Sequence, residues 1–566
     1  MITSIYKLLS ISEKKYFYFI FFLLCINSIF ELISLAAFYP ILVLLFDENY
    51  NFEKINNYLQ FLDFNSLSFN DYLFLFLFII LTVFFIKIFF YLYFVYQQNK
   101  FVREIRLRLS GELIEKYITL SYSAFFKKTL PNILRNIELS TGFSSIAISL
   151  ITFYSEILIF SLLVLFLLSI EFKLTLSIAI LISFLIYILK FKTNKKFYIL
   201  GVKSQEYAER FNKEILQTFE GIREVKILKK EFFFNRKFFR INKLEANNNF
   251  LRDILLQVPR VVTELIVVSS IVGLIYIMVS LDYEKSKILI FISIAALASA
   301  RLMPSAIRII GSLQRLKYSQ PLNEILIKEL KSKINKEIRY IERPITKKLP
   351  FKDNISFSDV SFYYVKNKTV IDKLNFKIKK NSCFGIVGES GSGKSTITDL
   401  IMGLINPTSG KIKIDNEFLN KNINLWQNNI SYVSQSPFFL NDTIENNIAF
   451  GLSQNKINKK LIVEVSKKAQ IFGHINQLKQ KFKTKMGEKG INFSGGQLQR
   501  IAIARALYGK SDVLILDEST NSLDYKSEIM FFDFLKKLKK SLTIIIISHK
   551  SENLKICDQV IKIKKI

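Results

Sequence analysis

Residues 388–396 read GESGSGKST, and the types and spacing of these residues suit the holding of phosphate. Gly388, Gly391 and Gly393 let the backbone curl, so that successive N–H groups converge on anionic oxygens. Lys394 supplies a point charge for the β- and γ-phosphates of a nucleotide, and the Ser395 hydroxyl a ligand for Mg²⁺. Glu389, Ser390, Ser392 and Thr396 complete the loop and are expected to border ATP with them. Further along, Asp517 and Glu518 close an apolar run: Asp517 suits Mg²⁺, and Glu518 suits a general base that prepares water for in-line attack. Gln435, in SYVSQSP, is placed to reach Mg²⁺ or that water. His549, one of only two histidines, follows another apolar run and is placed to meet a γ-phosphate; the other, His474, reads as incidental on a surface helix. Tyr364 offers a ring for an adenine face, with Tyr363 as its competitor. In FSGGQLQR, Ser494, Gly495 and Gly496 form a second backbone nest that opens a helix.

Those groups need strands and helices to carry them. Residues 384–387 read as a buried strand and 397–404 as a helix, which places the loop at a helix N-terminus. Residues 513–516 and 544–547 repeat the pattern of a buried strand that ends on a polar group. The second half therefore reads as an α/β phosphate-loop ATPase domain.

Ahead of it lies different material. At 566 residues there is room for two or more domains, and half of the chain is hydrophobic, with 54 phenylalanines. Apolar stretches fall near 16–46, 72–96, 144–170, 174–189, 259–281 and 288–310, and all but the fourth clearly reach the roughly 20 residues a spanning helix needs. The expected architecture is an α-helical membrane domain of six transmembrane helices over 1–321, a linker over 322–349 and the ATPase domain over 350–566. A net charge of +32 admits a nucleic-acid partner. The cations, however, concentrate in the loops 97–140 and 190–258 beside apolar stretches, whereas 47–71 is mostly acidic; this fits a positive-inside membrane protein with its ATPase domain in the cytoplasm, and no nucleic acid is expected. Cys25, Cys383 and Cys557 lie too far apart in sequence for a metal motif. In the segment 55–62, Ile55, Tyr58, Leu59 and Leu62 share one helix face, expected on the outer membrane surface or over the ends of the spans.

Ionisable side chains inside spans are candidate functional groups. The cations are Lys87, Arg260, Arg301 and Arg308, and the acids are Glu31, Glu156 and Glu264. Arg260 and Glu264 are spaced to pair at i, i+4. The excess of cations favours an anionic cargo such as a phosphate or pyrophosphate head group. Pro304, between the two arginines, is expected to weaken or kink the sixth span, and Pro40 the first.

Tyr364, GESGSGKST, Gln435, TKMGEKG at 484–490, FSGGQ, LILDE, NSLD and His549, in this order, resemble the nucleotide-binding domain of ABC transporters. The apolar stretches before them resemble the exporter type in its fused, half-transporter form. Phe493 stands where the family usually has Leu, and Ser548-His549-Lys550 where it has Ala-His-Arg; no catalytic group is lost. The resemblance implies ATP and Mg²⁺, and ATP hydrolysis coupled to translocation by a homodimer. Each ATP would lie on one copy's loop and be closed over by Ser494, Gly495, Gly496, Gln497 and Asp524 of the other. It assigns Glu518 as base and His549 as γ-phosphate sensor, with Ser395, Gln435 and Asp517 on the metal. VPRVVTEL at 258–265 and ARLMPSAIR at 300–308 resemble segments of bacterial flippases for lipid-linked oligosaccharides. That implies a polyprenyl-pyrophosphate-linked glycan as cargo in the bacterial inner membrane. A lipid or multidrug exporter is the alternative, and an ATP-gated channel or regulator the reading outside transport.

Overall fold

A computed structural model describes residues 6, 8–38, 41, 69–170, 172–283, 285–331, 347–365, 368–519, 525–549 and 554–565. Pro40, the segment 55–62 and Asp524 lie outside the described residues. The chain divides into two compact units, Met1–Leu120 with Phe125–Ile338, and Ser121–Ala124 with Arg339–Ile566.

The first unit is built from long helices: α1 (Ile11–Ala36), α2 (Phe69–Thr119), α3 (Leu130–Ile170), α4 (Phe172–Glu220), α5 (Glu231–Ser280), α6 (Lys285–Tyr318) and the short α7 (Gln320–Lys331). Among the described residues, four segments are long and apolar enough to cross a membrane: Ile11–Ala36, Leu73–Thr119, Leu130–Ser169 and Glu231–Ser280. The fourth and sixth expected stretches lie within α4 and α6. At about 1.5 Å per residue, the 51 residues of α2 extend well past a hydrocarbon layer of about 30 Å. α5 and α6 run on as helices through Pro259 and Pro304. Of the expected linker, the part up to Lys331 is helical and belongs to α7, and 332–346 lies outside the described residues.

Charge fixes the ends of these helices. α1 opens on a capping box between Ser10 and Glu13, and Arg108 of α2 donates to both Glu13 carboxylate oxygens, at 2.7 and 2.8 Å. Glu329 of α7 accepts from Lys128 at 2.8 Å and from the Tyr117 hydroxyl at 3.2 Å, which ties α7 to α2. Between them Leu109, Leu113 and Ile146 are fully buried.

The second unit holds two sheets. One is four-stranded, in the order β2-β1-β4-β5, from β1 (Asn354–Val365), β2 (Lys368–Lys379), β4 (Ser409–Ile414) and β5 (Glu417–Phe418), paired antiparallel. The other runs β6-β7-β8-β3-β9 and is parallel throughout: β3 (Cys383–Gly388), β6 (Ile430–Val433), β7 (Val513–Asp517), β8 (Thr543–Ser548) and β9 (Gln559–Ile563). Its central strands are apolar on both faces, as a sheet covered on both sides requires. Val513 and Ile515 of β7, with Ile545 and Ile547 of β8, enter one core alongside the antiparallel sheet; Leu514, Leu516, Ile544 and Ile546 enter a second, built with α9 (Lys459–Lys468), α10 (Gly495–Tyr508) and α11 (Tyr525–Leu538). α8 (Lys394–Ile401) leaves the end of β3, and the fully buried Trp426 donates its indole N–H to the Ile401 carbonyl at 2.8 Å.

Candidate nucleotide site and intramembrane charge cluster

The turn from β3 to α8 has the shape of an anion cradle. Gly391 and Gly393 adopt φ of 79° and 93°, a region that side chains disfavour. A Cβ on Gly388 would come within 2.6 Å of both the Ile563 carbonyl and the Ser392 hydroxyl, so this backbone position accepts no side chain without a shift. Lys394 is buried; its ammonium donates to the Gly388 and Glu389 carbonyls at 2.7 and 2.9 Å. It forms no contact ion pair among the described residues; Asp517 is near enough to feel its charge, and a buried ammonium held only by carbonyls leaves room for an anion. The Ser392 hydroxyl, also buried, has no hydrogen-bond partner among the described residues. A nucleotide polyphosphate fits these unfilled requirements. Tyr364 is 61% exposed, free to present a ring face, while its hydroxyl lies 3.3 Å from that of Thr396.

The ends of the parallel strands deliver the acidic groups to this turn's end of the sheet. Asp517 terminates β7, and Glu518 follows with φ of 46°, its N–H held by the Ile547 carbonyl at 3.0 Å. A non-glycine residue in this region is strained, and such strain gathers at functional sites. The Gln435 amide donates to Glu518 Oε2 at 2.7 Å, and His549 Nδ1 stands 3.5 Å from Oε1. The structure thus joins Gln435, Glu518 and His549, from after β6, β7 and β8. Burial, and then the neighbouring Glu518, raise the Asp517 carboxyl above its ordinary range, although the Tyr432 hydroxyl donates to it at 3.2 Å. Asp399 on α8 is raised to about 6, by burial first and by Asp517 second.

The second nest is built differently. Ser494 caps α10 in a capping box with Gln497, its N–H bonding Gln497 Oε1 at 2.9 Å, and Gly495 and Gly496 supply the first turn. None of Ser494–Gln497 hydrogen-bonds to the residues of the phosphate turn, among the described residues. His474, read from the sequence as incidental, packs edge-on to Phe493 and reaches Gln497 at 3.5 Å. No local pattern signals this contact, nor that of Tyr432 with Asp517.

In the helical unit the candidate cargo cations divide. Lys87 of α2 and Arg301 of α6 both pair with Glu31 of α1, Lys87 at 2.8 Å. Arg308 pairs with Glu156 of α3 at 2.5 Å, and Ser305 donates to the same carboxylate. Arg260 is exposed and forms no ion pair with Glu264 among the described residues. Three of the four cations are thus held by acids from other helices.

Known proteins bear on both units. Residues 371–521 match the ABC transporter family. A probable ABC transporter ATP-binding/permease protein of Haemophilus influenzae is 40% identical over 211 residues, 37% of this chain and 38% of that protein. An ATP-dependent lipid A-core flippase of Desulfotalea psychrophila is 38% identical over 217 residues, 38% of this chain and 37% of the flippase. The chain thus spans well under half the length of these curated relatives. Over almost its whole length it superposes on the structure of a bacterial Atm1-family ABC exporter with ATP bound, with a TM-score of 0.77, 19% identity, and coverage of 97% of this chain and 93% of the other. The chain therefore carries an ABC transporter ATP-binding domain behind a helical membrane region, on the fold of an ABC half-exporter.

Proposed function

We propose that two copies of this chain form an exporter of the bacterial inner membrane that uses ATP hydrolysis to move a polyprenyl-pyrophosphate-linked oligosaccharide, or a similar anionic lipid, to the outer leaflet. The observation that carries the cargo reading is the gathering of Lys87, Arg301 and Arg308 inside the helical unit. Cations in spans are expensive, and these three outnumber the two acids that hold them. With Arg260 they would receive the head group. Relatives named as lipid A-core flippases support an amphiphilic, anionic class of cargo.

In the cytoplasmic domain ATP supplies the phosphoanhydride bond that is broken, and Mg²⁺ the charge that draws its oxygens together. Lys394 and the N–H groups of 388–396 hold the phosphates, with Tyr364 against the base. Ser395, Gln435 and Asp517 have the oxygen donors that Mg²⁺ prefers. Glu518 takes the proton of the attacking water, its Oε2 held by the Gln435 amide, while His549, 3.5 Å from Oε1, is placed to meet the γ-phosphate. Ser494–Gln497 form no hydrogen bond with the phosphate turn of their own chain among the described residues, which supports their use across a dimer, together with Asp524. Reconstituted full-length protein tests the whole reading: ATP-dependent loss of a fluorescent polyprenyl-pyrophosphate glycan from one leaflet is expected, and is lost in R301Q/R308Q. Equal flipping by wild type and the double variant refutes the cargo assignment; flipping without ATP refutes the coupling.

A further inference from the structure

Glu31 stands out among the intramembrane acids because one carboxylate faces two cations. Its Oε2 takes Lys87 at 2.8 Å and its Oε1 takes Arg301, while Lys87 also donates to Ser34 at 3.0 Å. The neighbouring group differs: Arg308 and Glu156 match one to one, with the Ser305 hydroxyl as an added donor. Glu31, Lys87 and Arg301 together keep one positive charge that no other acid pairs with among the described residues. The Arg301 Nε–H is buried without an acceptor among the described residues, and Glu31 does not saturate this guanidinium. Accessibility is graded as well: the Glu31 side chain is 7% exposed and that of Arg301 31%. The cation is the reachable member, and the acid stands behind it. Arg301, Ser305 and Arg308 lie at i, i+4 and i+7 on α6 and share one face.

We propose that Glu31 is a displaceable counter-ion. In the absence of cargo it keeps Lys87 and Arg301 from standing uncompensated in an apolar bundle; an entering anion takes Arg301 from it. This rests on the reading that an anionic cargo reaches these cations, and adds to it a specificity element. A neutral lipid gains nothing from the cluster. A monophosphate, at about −1.5 to −2 near pH 7, covers the residual single charge and has little left with which to compete against Glu31 for the guanidinium. A diphosphate carries enough charge to take the guanidinium and the residual charge together. Glu31 therefore sets a charge threshold for entry.

The test uses full-length protein in lipid nanodiscs and three probes of one chain length: farnesyl diphosphate, farnesyl monophosphate and farnesol. Glu31→Gln removes the competitor. It is expected to bind the diphosphate about tenfold tighter than wild type, equivalent to about 1.4 kcal/mol. The gain is expected to be smaller for the monophosphate and absent for farnesol. Should E31Q fail to fold, Glu31→Asp retains the charge on a shorter side chain and is expected to tighten diphosphate binding two- to threefold on loosening its hold on Arg301. Unchanged or weaker diphosphate binding by the folded variant, with wild type still binding and R301Q not, overturns the counter-ion role and leaves the anionic cargo standing. An equal gain for farnesol overturns it too, since packing rather than charge then accounts for the effect. If wild type does not bind the diphosphate, or R301Q binds it as well as wild type, the cargo reading fails, and the counter-ion role with it.

Discussion

Replacing Glu518 by Gln isolates the charge of one carboxylate. Its backbone is set by the strand ladder, through the bond from its N–H to the Ile547 carbonyl at 3.0 Å, and not by its side chain. Gln is no more strained than Glu at a φ of 46°, so the side chain is expected to keep its place. The Gln435 amide, now 2.7 Å from Oε2, can still donate to a carbonyl oxygen at position 518, though without charge assistance. The group that can accept a proton from water is what disappears. A positioned general base contributes about 10²–10⁴ in rate; a thousandfold loss corresponds to about 4 kcal/mol on the barrier. Steady-state phosphate release by E518Q is expected to fall by about that factor, while nucleotide binding persists and ATP accumulates uncleaved in the protein. Glu518→Asp withdraws the carboxylate by one methylene, which breaks its 2.7 Å contact with Gln435, and is expected to be impaired although it keeps a base. Phosphate release by E518Q within tenfold of wild type, at saturating ATP, refutes the assignment.

Two further substitutions probe the same domain. Asp399 has a folded-state value of about 6, above the ordinary 3.8, so the folded protein holds this proton more tightly than the unfolded chain. Its contribution to stability is full below about pH 4 and is lost as pH rises through about 6. Asp399→Asn removes the titration: its melting temperature relative to wild type is expected to climb between pH 4 and pH 6–7 and to level off above, and a pH-independent difference rejects the burial argument. For Gly388→Ala, the added methyl meets the Ile563 carbonyl and the Ser392 hydroxyl at 2.6 Å. ATP affinity is expected to drop at least tenfold in a nucleotide-binding assay, with a lowered melting temperature; unaltered binding shows that the turn yields more easily than its packing implies.

What sequence disclosed follows from the range of the interactions concerned. The phosphate turn is local: three glycines, a lysine and a strand-to-helix switch within nine residues, and each appears where its spacing places it. The apolar runs at 513–516 and 544–547 are legible because a strand buried on both faces leaves no polar alternation. Pairings across the bundle are not legible in this way. Glu31 meets partners 56 and 270 positions away, and helices that are apolar all round carry little periodic signal to say which faces meet. Arg260 and Glu264 show the converse, since the spacing permits a pair that the structure does not make. His474 illustrates a third limit: its neighbours Phe493 and Gln497 are brought to it by the packing of separate helices, and a composition that makes a helix look exposed says nothing of its ends.

The sequence has one tryptophan, and its position has a practical consequence. Trp426 is sealed from water, its indole N–H fastened to the last residue of the helix that the phosphate turn begins, with the Phe351 ring edge-on at a centroid distance of 5.6 Å. Excited at the red edge of its absorption, the protein emits from this one place. A displacement of α8 on nucleotide entry would alter the dipole of the Ile401 carbonyl beside the chromophore and would shift its emission. The chain therefore carries one native chromophore at the far end of the helix that its phosphate turn begins, which a stopped-flow instrument can follow without any label.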